Sequence, residues 1–407
     1  MRAYLDHSAT TPIDTRVIDA MLPFLREQFG NASSIHQFGQ EARAAVDKAR
    51  RQVGLLINAR AHEIVFTSGG TEANNLAIRG ICDAAQTHGR HIITSAIEHP
   101  SVRGVGDHLE KHGWSITRLP VYEEGIVRID DVRAAMRDET VLVSIMTANN
   151  EIGTIQPVNE IGAFVRSQRE NGHRYIWFHT DGVQAAGRMP LDVESIGCDL
   201  MTLSAHKMYA PKGAGALFIR RGVRLLPQQI GGHQERERRA GTESVANIVA
   251  FGAAAELSRL ELDERNEHTR RLRDQFETDV AARIDDVVFN GDRDRRLPHL
   301  SNISFRFVEG EGLLIHLDMH GVAVSTGSAC SSGTLEPSPV IKALGRNEEL
   351  ARGAIRFSFG KDNADEEVAY AVEALQRAVE SLRALSPLGK DQSTSDAKSV
   401  PPAVAGG

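Results

Sequence analysis

The sequence predicts an α/β protein: a large domain built on a mostly parallel sheet, followed by a smaller α+β domain. Three observations predict this. From about residue 60, short β-rich apolar runs alternate with helix-like stretches, the pattern of a sheet whose crossover connections are helices. The runs are near-continuous in apolar character, as expected of strands covered on both faces. The chain has 407 residues, more than one ordinary domain, so two domains in one subunit is the default expectation.

Taken in order, "EIVFT" precedes the helical stretch "TEANNLAIRGICDAAQ", "HIITSAI" precedes "PSVRGVGDHLEKHG", and "VLVSIMTA" precedes "NEIGAFVRSQREN". Three more runs follow, "YIWFHTD", "DLMTLSAH" and "GALFIRR", and together these define a large domain over residues 13–255. A long helical stretch is expected from about Thr242 to Ile284, with Leu257, Leu260, Leu272 and Phe276 at recurring positions. "NISFRFV", "GLLIHLDMHG", "VAVST" and "AIRFSF" then give the α+β pattern of a small domain, residues 1–12 and 256–387. Residues 388–407 are polar and proline-bearing, and are expected to be a disordered tail.

Composition narrows the function. A net charge of -7 argues against a general nucleic-acid binder. The opening "MRAYLDHSATTP" has no apolar core of signal-peptide length, and no later run approaches a membrane span. Cys82, Cys198 and Cys330 are odd in number and widely spaced, which fits a reducing cytoplasm rather than a disulfide framework. His316 and His320 stand four apart without an evident third ligand, so no metal is expected.

The chemistry collects at strand ends, where open α/β sheets bind ligands. Lys207 follows "DLMTLSAH" with Ser204 and His206 beside it; it reads either as a desolvated Schiff-base former or as a surface lysine near a turn. "FTSGGTEANN" places Gly69, Gly70 and Thr71 between a strand and a helix, a phosphate cradle or simply a helix cap. It is not G-x-G-x-x-G, so a dinucleotide is not expected. Asp181 ends "YIWFHTD", with Gln184 three residues on; it can hold a pyridine nitrogen protonated or cap the next helix. His99 in "SAIEHPSV" is a titrating or stacking imidazole, or a structural one. Cys330, in "STGSACSSGT", has only small neighbours and is either an incidental surface thiol or a reactive one.

With these residues goes a series of motifs: "YLDHSATTP", "GNASSIHQFG", "FTSGGTEANNLAI", "TANNEIGTIQP", "HTDGVQAAG", "SAHKMYAPKG", "RAGTES", "STGSACSSGTLEPS" and "IRFSFG". In them the chain resembles the cysteine desulfurases of the nitrogen-fixation and iron–sulfur-assembly type. These lie within the class V aminotransferase group of fold-type I pyridoxal phosphate enzymes, whose large domain carries a seven-stranded sheet. The resemblance spans nearly the whole chain except its C-terminal tail.

The resemblance implies that Lys207 forms the Schiff base with pyridoxal phosphate and moves protons at the substrate Cα. It implies that His99 stacks on the cofactor ring, Asp181 pairs with the ring nitrogen and Gln184 reaches the phenolic oxygen. Gly70, Thr71, Ser204 and His206 would hold the phosphate, completed by Thr242 from the other subunit of a homodimer. Asn150 and Arg356 would hold the carboxylate of L-cysteine, an arginine fork suiting that group. Cys330 would take the substrate sulfur as a persulfide, releasing alanine, in a loop whose small residues give the thiol freedom to travel. The sulfur would pass to an acceptor protein such as an iron–sulfur scaffold. Within the same fold, selenocysteine lyase, cysteine-sulfinate desulfinase and small-substrate transaminase chemistry stand as alternatives, as does a non-enzymatic sulfur-relay docking subunit that retained the fold.

Overall fold

The computed structural model describes residues 1–327 and 336–385; Cys330 and the tail 388–407 lie outside the described residues. The strands among the described residues are β1 (Ala3–Tyr4), β2 (Ile64–Thr67), β3 (His91–Ser95), β4 (Ser115–Leu119), β5 (Thr140–Ser144), β6 (Trp177–Asp181), β7 (Leu200–Ser204), β8 (Gly215–Ile219), β9 (Val287–Phe289), β10 (Leu300–Phe305), β11 (Val322–Ala323) and β12 (Ala354–Ser358).

Seven of them make one mixed sheet in the order β2-β8-β7-β6-β5-β3-β4. The pairs from β4 through β3, β5 and β6 to β7 are all parallel. Their crossovers are the helices Pro100–Glu110, Ile129–Ala135, Val158–Glu170 and Val193–Ile196. Only β8 runs against its neighbours β2 and β7.

The apolar runs are continuous because both faces are buried. Ile64, Phe66, Val143, Phe178, Met201, Leu203 and Phe218 enter one core. Their sequence neighbours Val65, Leu142, Leu200, Leu217 and Ile219 enter the other, beneath Leu76, Ala77 and Ile81 of the helix Gly70–Ala85. Successive strand residues point to opposite faces, so a strand covered twice places apolar residues on both. Buried polar ones such as His179 and Thr202 are hydrogen-bonded to each other. β4 was not legible as a strand: "SITRL" is the sheet edge, half-exposed along most of its length, and carries the polar residues an edge tolerates.

A third core joins Leu5, Leu272, Phe276, Ile303, Phe305, Phe357 and Leu375. It lies under the antiparallel sheet β12-β10-β9 and the helices Leu262–Arg283 and Asp365–Leu385. β1 pairs with β11 in the same region. The expected long helix is two, Val245–Leu260 and Leu262–Arg283, kinked at Glu261 (φ -104°, ψ 14°). Leu260 is 65% exposed there, and the Glu261 carboxylate is held from outside the helix by Arg16 and from within it by Arg265. No helix among the described residues is long and apolar enough to cross a membrane.

Candidate active site

The parallel strands β3, β5, β6 and β7 end together, at Ser95, Ser144, Asp181 and Ser204. A single tight turn, Ala205–Lys207, follows β7 and lifts Lys207 out at this edge. Its Nζ donates to the carbonyls of Ser8 (2.5 Å) and Ala9 (2.6 Å). The Ser8 carbonyl also accepts from Gln184 Nε2 at 3.0 Å. The N-terminal segment is pinned there by Ser8 N–H donating to Ser358 Oγ (2.8 Å) and Thr11 Oγ1 donating to the His206 carbonyl (3.0 Å).

Asp181 accepts a hydrogen bond on each carboxylate oxygen. Oδ1 accepts from Val183 N–H, fixing the turn after β6, and Oδ2 accepts from Asn74 Nδ2 at 2.7 Å. The same Asn74 amide donates to Ser101 Oγ (2.8 Å), which lies 2.8 Å from His99 Nδ1. His99 caps the helix Pro100–Glu110 by accepting the Ser101 backbone N–H on Nδ1. A ring nitrogen that accepts an amide proton carries none itself, so the neutral ring holds its proton on Nε2. Burial lowers the His99 pKa, and Lys207 and Arg103 lower it further against the opposing charge of Asp181. Near neutral pH the ring is therefore uncharged, with Nε2–H as its donor.

The glycine turn lies beside these groups. Gly215 pairs with Thr67 on one side and Ser204 on the other. A Cβ on Gly215 would stand 2.6 Å from Gly69 Cα, and one on Gly70 3.0 Å from Val183 Cγ2. At Gly215, backbone thus approaches backbone where only glycine fits. The helix Gly70–Ala85 starts without a side-chain cap, and a Cβ on Gly70 would lie 3.6 Å from Ser204 Cβ. Burial, with Lys207 and Lys212, lowers His206 to about 4, leaving its ring neutral; Nδ1 meets Thr10 Oγ1 at 3.2 Å. Thr71 and Thr242 are exposed, and among the described residues no hydrogen bond ties Thr242 to the groups above.

Arg356, on β12, donates through Nη1 to the Asn150 carbonyl (2.9 Å) and through Nη2 to Asp6 Oδ1 (2.7 Å). The sequence-predicted pair is together, though Asn150 engages Arg356 by its backbone. Cys82 and Cys198 are buried, and burial pushes both thiols well above the ordinary range, so neither is a nucleophile. Among the described residues no cluster could hold a metal ion; His320 Nδ1 bonds the His316 carbonyl instead.

Several site residues were not singled out from sequence: Asn74, Ser101, Asp6, the carbonyls of Ser8 and Ala9, and Glu98. Glu98 is fully buried; Oε1 accepts from Ser95 Oγ (2.6 Å) and Met146 N–H (3.0 Å), and Oε2 has no partner. Burial raises it to about 8, with nearby Asp181 adding to the rise, so it is a neutral acid at pH 7. The legible signal was a polar letter inside an apolar run, Asn74 in "ANNLAI" and Glu98 in "SAIEHP".

The residues fit pyridoxal phosphate by their own chemistry. A glycine turn, with Gly69 at φ 156°, opening a helix that has no side-chain cap suits a phosphate. Asn74 has an unsatisfied buried Oδ1 beside Asp181, and a lysine amine and a carboxylate project at one sheet edge.

Comparison with known proteins agrees. The family model for aminotransferase class V matches residues 3–370. The chain is 50% identical to the cysteine desulfurase IscS of Dictyoglomus turgidum over 384 residues, covering 94% of this chain and 96% of that protein. It is 46% identical to a cysteine desulfurase of Nostoc sp., covering 96% of each. Among solved structures, a NifS-like protein superposes with a TM-score of 0.86 at 34% identity, over 93% of this chain and all of that one. SspA in complex with cysteine superposes with a TM-score of 0.78 at 32% identity, over 89% of this chain and 100% of that one.

Proposed function

The chain belongs to the class V aminotransferases, which use pyridoxal phosphate, and is a cysteine desulfurase; from that premise we propose which of its residues carry the reaction. Asp181 holds the cofactor's ring nitrogen, Gln184 its phenolic oxygen and His99 the face of its ring. Gly70, Thr71, Ser204 and His206 hold the phosphate, joined by Thr242 of the partner subunit in a homodimer. When bound, pyridoxal phosphate supplies the electron sink for bond breaking next to the substrate nitrogen.

Asn150 and Arg356 orient the L-cysteine carboxylate. Lys207 Nζ takes the proton from the substrate Cα and returns it. His99, its proton on Nε2, donates and recovers that proton beside the sulfur. Cys330, as thiolate, attacks the substrate sulfur: the S–S bond forms, the Cβ–S bond breaks, and its electron pair ends as a C–H bond of alanine. The thiol is suited to this because even a small thiolate fraction is strongly nucleophilic. The observation that carries the reading is the wiring Asp181–Asn74–Ser101–His99 beside Lys207 and Gln184, which share the Ser8 carbonyl.

The residue division 13–255 for the large domain, and 1–12 with 256–387 for the small one, is part of this proposal. It is supported by the separate core that Ala3 and Leu5 join with Leu272 through Val379. An iron–sulfur scaffold is the proposed sulfur acceptor, and a reducing cytoplasm, consistent with two buried free thiols, the proposed setting.

The test is Cys330→Ala. It should keep the absorbance of bound cofactor yet form no protein persulfide and lose most alanine release from L-cysteine. Unchanged turnover sinks Cys330 as nucleophile. Comparing L-cysteine, selenocysteine and cysteine sulfinate as substrates discriminates the alternative activities.

A further inference from the structure

Arg356 reaches the site with two of its three nitrogens committed, Nη1 to the Asn150 carbonyl and Nη2 to Asp6. Its Nε is buried and has no hydrogen-bond partner. An orphaned guanidinium N–H in the interior is costly, and a site that keeps one is prepared for an acceptor that arrives from outside. The backbone around it is zipped in place. Asp6 bridges Ser358, Arg356 bridges Ser325, and Ser358 N–H donates to the Leu5 carbonyl at 2.7 Å. Asp6 is thus carried to the guanidinium by main-chain pairing rather than by the reach of its own side chain.

We propose that Asp6 is a positioning residue for substrate recognition: with the Asn150 carbonyl it fixes the plane of Arg356, so that Nε and the remaining N–H groups meet the carboxylate of L-cysteine. The inference rests on the reading of Arg356 given above and deepens it. Two effects oppose each other. Asp6 brings a negative charge that competes with the substrate carboxylate for one cation. It also immobilises a planar fork whose value lies in two parallel hydrogen bonds, and small misplacements of such a fork are expensive.

Geometry favours the second effect. A guanidinium has five N–H donors, of which the structure commits two, so the fork is oriented without being exhausted. The same short segment does a second task, since the carbonyls of Ser8 and Ala9, two and three residues on, receive Lys207. Residues 6–9 therefore register the substrate-carboxylate group against the cofactor lysine.

The experiment uses the holoenzyme and the variants Asp6→Ala, Asp6→Asn and Asp6→Glu. Steady-state rates give KM and kcat for L-cysteine, and absorbance titration gives Kd for L-alanine and for cysteamine, which lacks a carboxylate. Asp6→Ala should raise KM for L-cysteine and Kd for L-alanine about tenfold, with kcat within about twofold and the Kd for cysteamine unchanged. Asp6→Asn keeps the acceptor without the charge and should fall between, while Asp6→Glu should recover part of the loss. Should Asp6→Ala fail to fold, Asp6→Asn carries the same comparison.

The proposal is overturned if Asp6→Ala leaves both constants unchanged, if cysteamine weakens in parallel, or if affinity for L-cysteine rises. Arg356→Lys separates the two layers. An unchanged KM in that variant overturns the reading of Arg356. A raised KM there beside a normal Asp6→Ala overturns the role of Asp6 alone.

Discussion

Glu235→Ala should destabilise the protein far more than any surface charge deletion. Glu235 and Arg50 form a two-bond ion pair, at 2.5 and 2.7 Å, with side chains 2% and 5% exposed. Glu235 also accepts the Phe66 backbone N–H at 3.1 Å. Removing the carboxylate strands a buried guanidinium and an amide, and breaking a buried pair in this way costs about 3–5 kcal/mol. Part of that returns as strain relief, because Glu235, Arg236 and Glu237 all sit at positive φ (47°, 58° and 63°), where each non-glycine residue costs roughly 1–2 kcal/mol. The ion pair is what holds this left-handed turn, which leads into the segment carrying Thr242. A net loss of about 2–4 kcal/mol corresponds to a Tm drop of roughly 4–16 °C for a unit of some 200 residues. Thermal unfolding of the cofactor-free protein, followed by circular dichroism at one fixed scan rate, measures it. Two controls frame the result. Glu237→Gly, which suits φ 63°, should leave Tm within about 2 °C because strain relief and added chain entropy offset. Asp47→Ala, which breaks the exposed Arg43–Asp47 pair (51% and 45% exposed), should cost less than about 1 kcal/mol. If Glu235→Ala melts within about 2 °C of the parent, the ion pair is not what holds the turn.

Two more outcomes follow from the site. Gly215→Ala places a Cβ 2.6 Å from Gly69 Cα and 2.9 Å from the Leu203 carbonyl, atoms that cannot rotate away. Cofactor affinity measured by equilibrium dialysis should fall about tenfold or more, the scale of a site displaced by an ångström; an unchanged affinity removes the glycine turn from the phosphate site. Glu98→Gln should become progressively stabilising as pH rises. Glu98 is raised to about 8 when folded, above its ordinary unfolded value of about 4.3. The native state therefore binds the extra proton between those values, and native stability falls with pH across that window. An amide has no proton to lose, so the Tm of Glu98→Gln minus that of the parent should grow from pH 5 to pH 8. A difference that stays flat shows Glu98 to be ionised in the fold.

The legible part of this protein was what local patterns encode. "EIVFT" and "YIWFHTD" showed their strands because double burial favours apolar residues on both faces, and the residue types at strand ends singled out Lys207, Asp181 and His99 as candidates, each with a structural alternative. β4 stayed hidden because an edge strand shares its composition with a loop. The site's own supports stayed hidden for a different reason. The acceptors that hold Lys207 are the carbonyls of Ser8 and Ala9, and a backbone carbonyl has no letter of its own. Asp6 meets Arg356 across 350 positions of sequence, a pairing set by the bridge to Ser358 and by nothing in either neighbourhood. The candidate groups are therefore readable because their side chains are unusual for their positions. The groups that aim them are ordinary residues made specific by topology, and altering a main-chain contact such as the Asp6–Ser358 bridge should reach the chemistry without touching any residue whose type announced it.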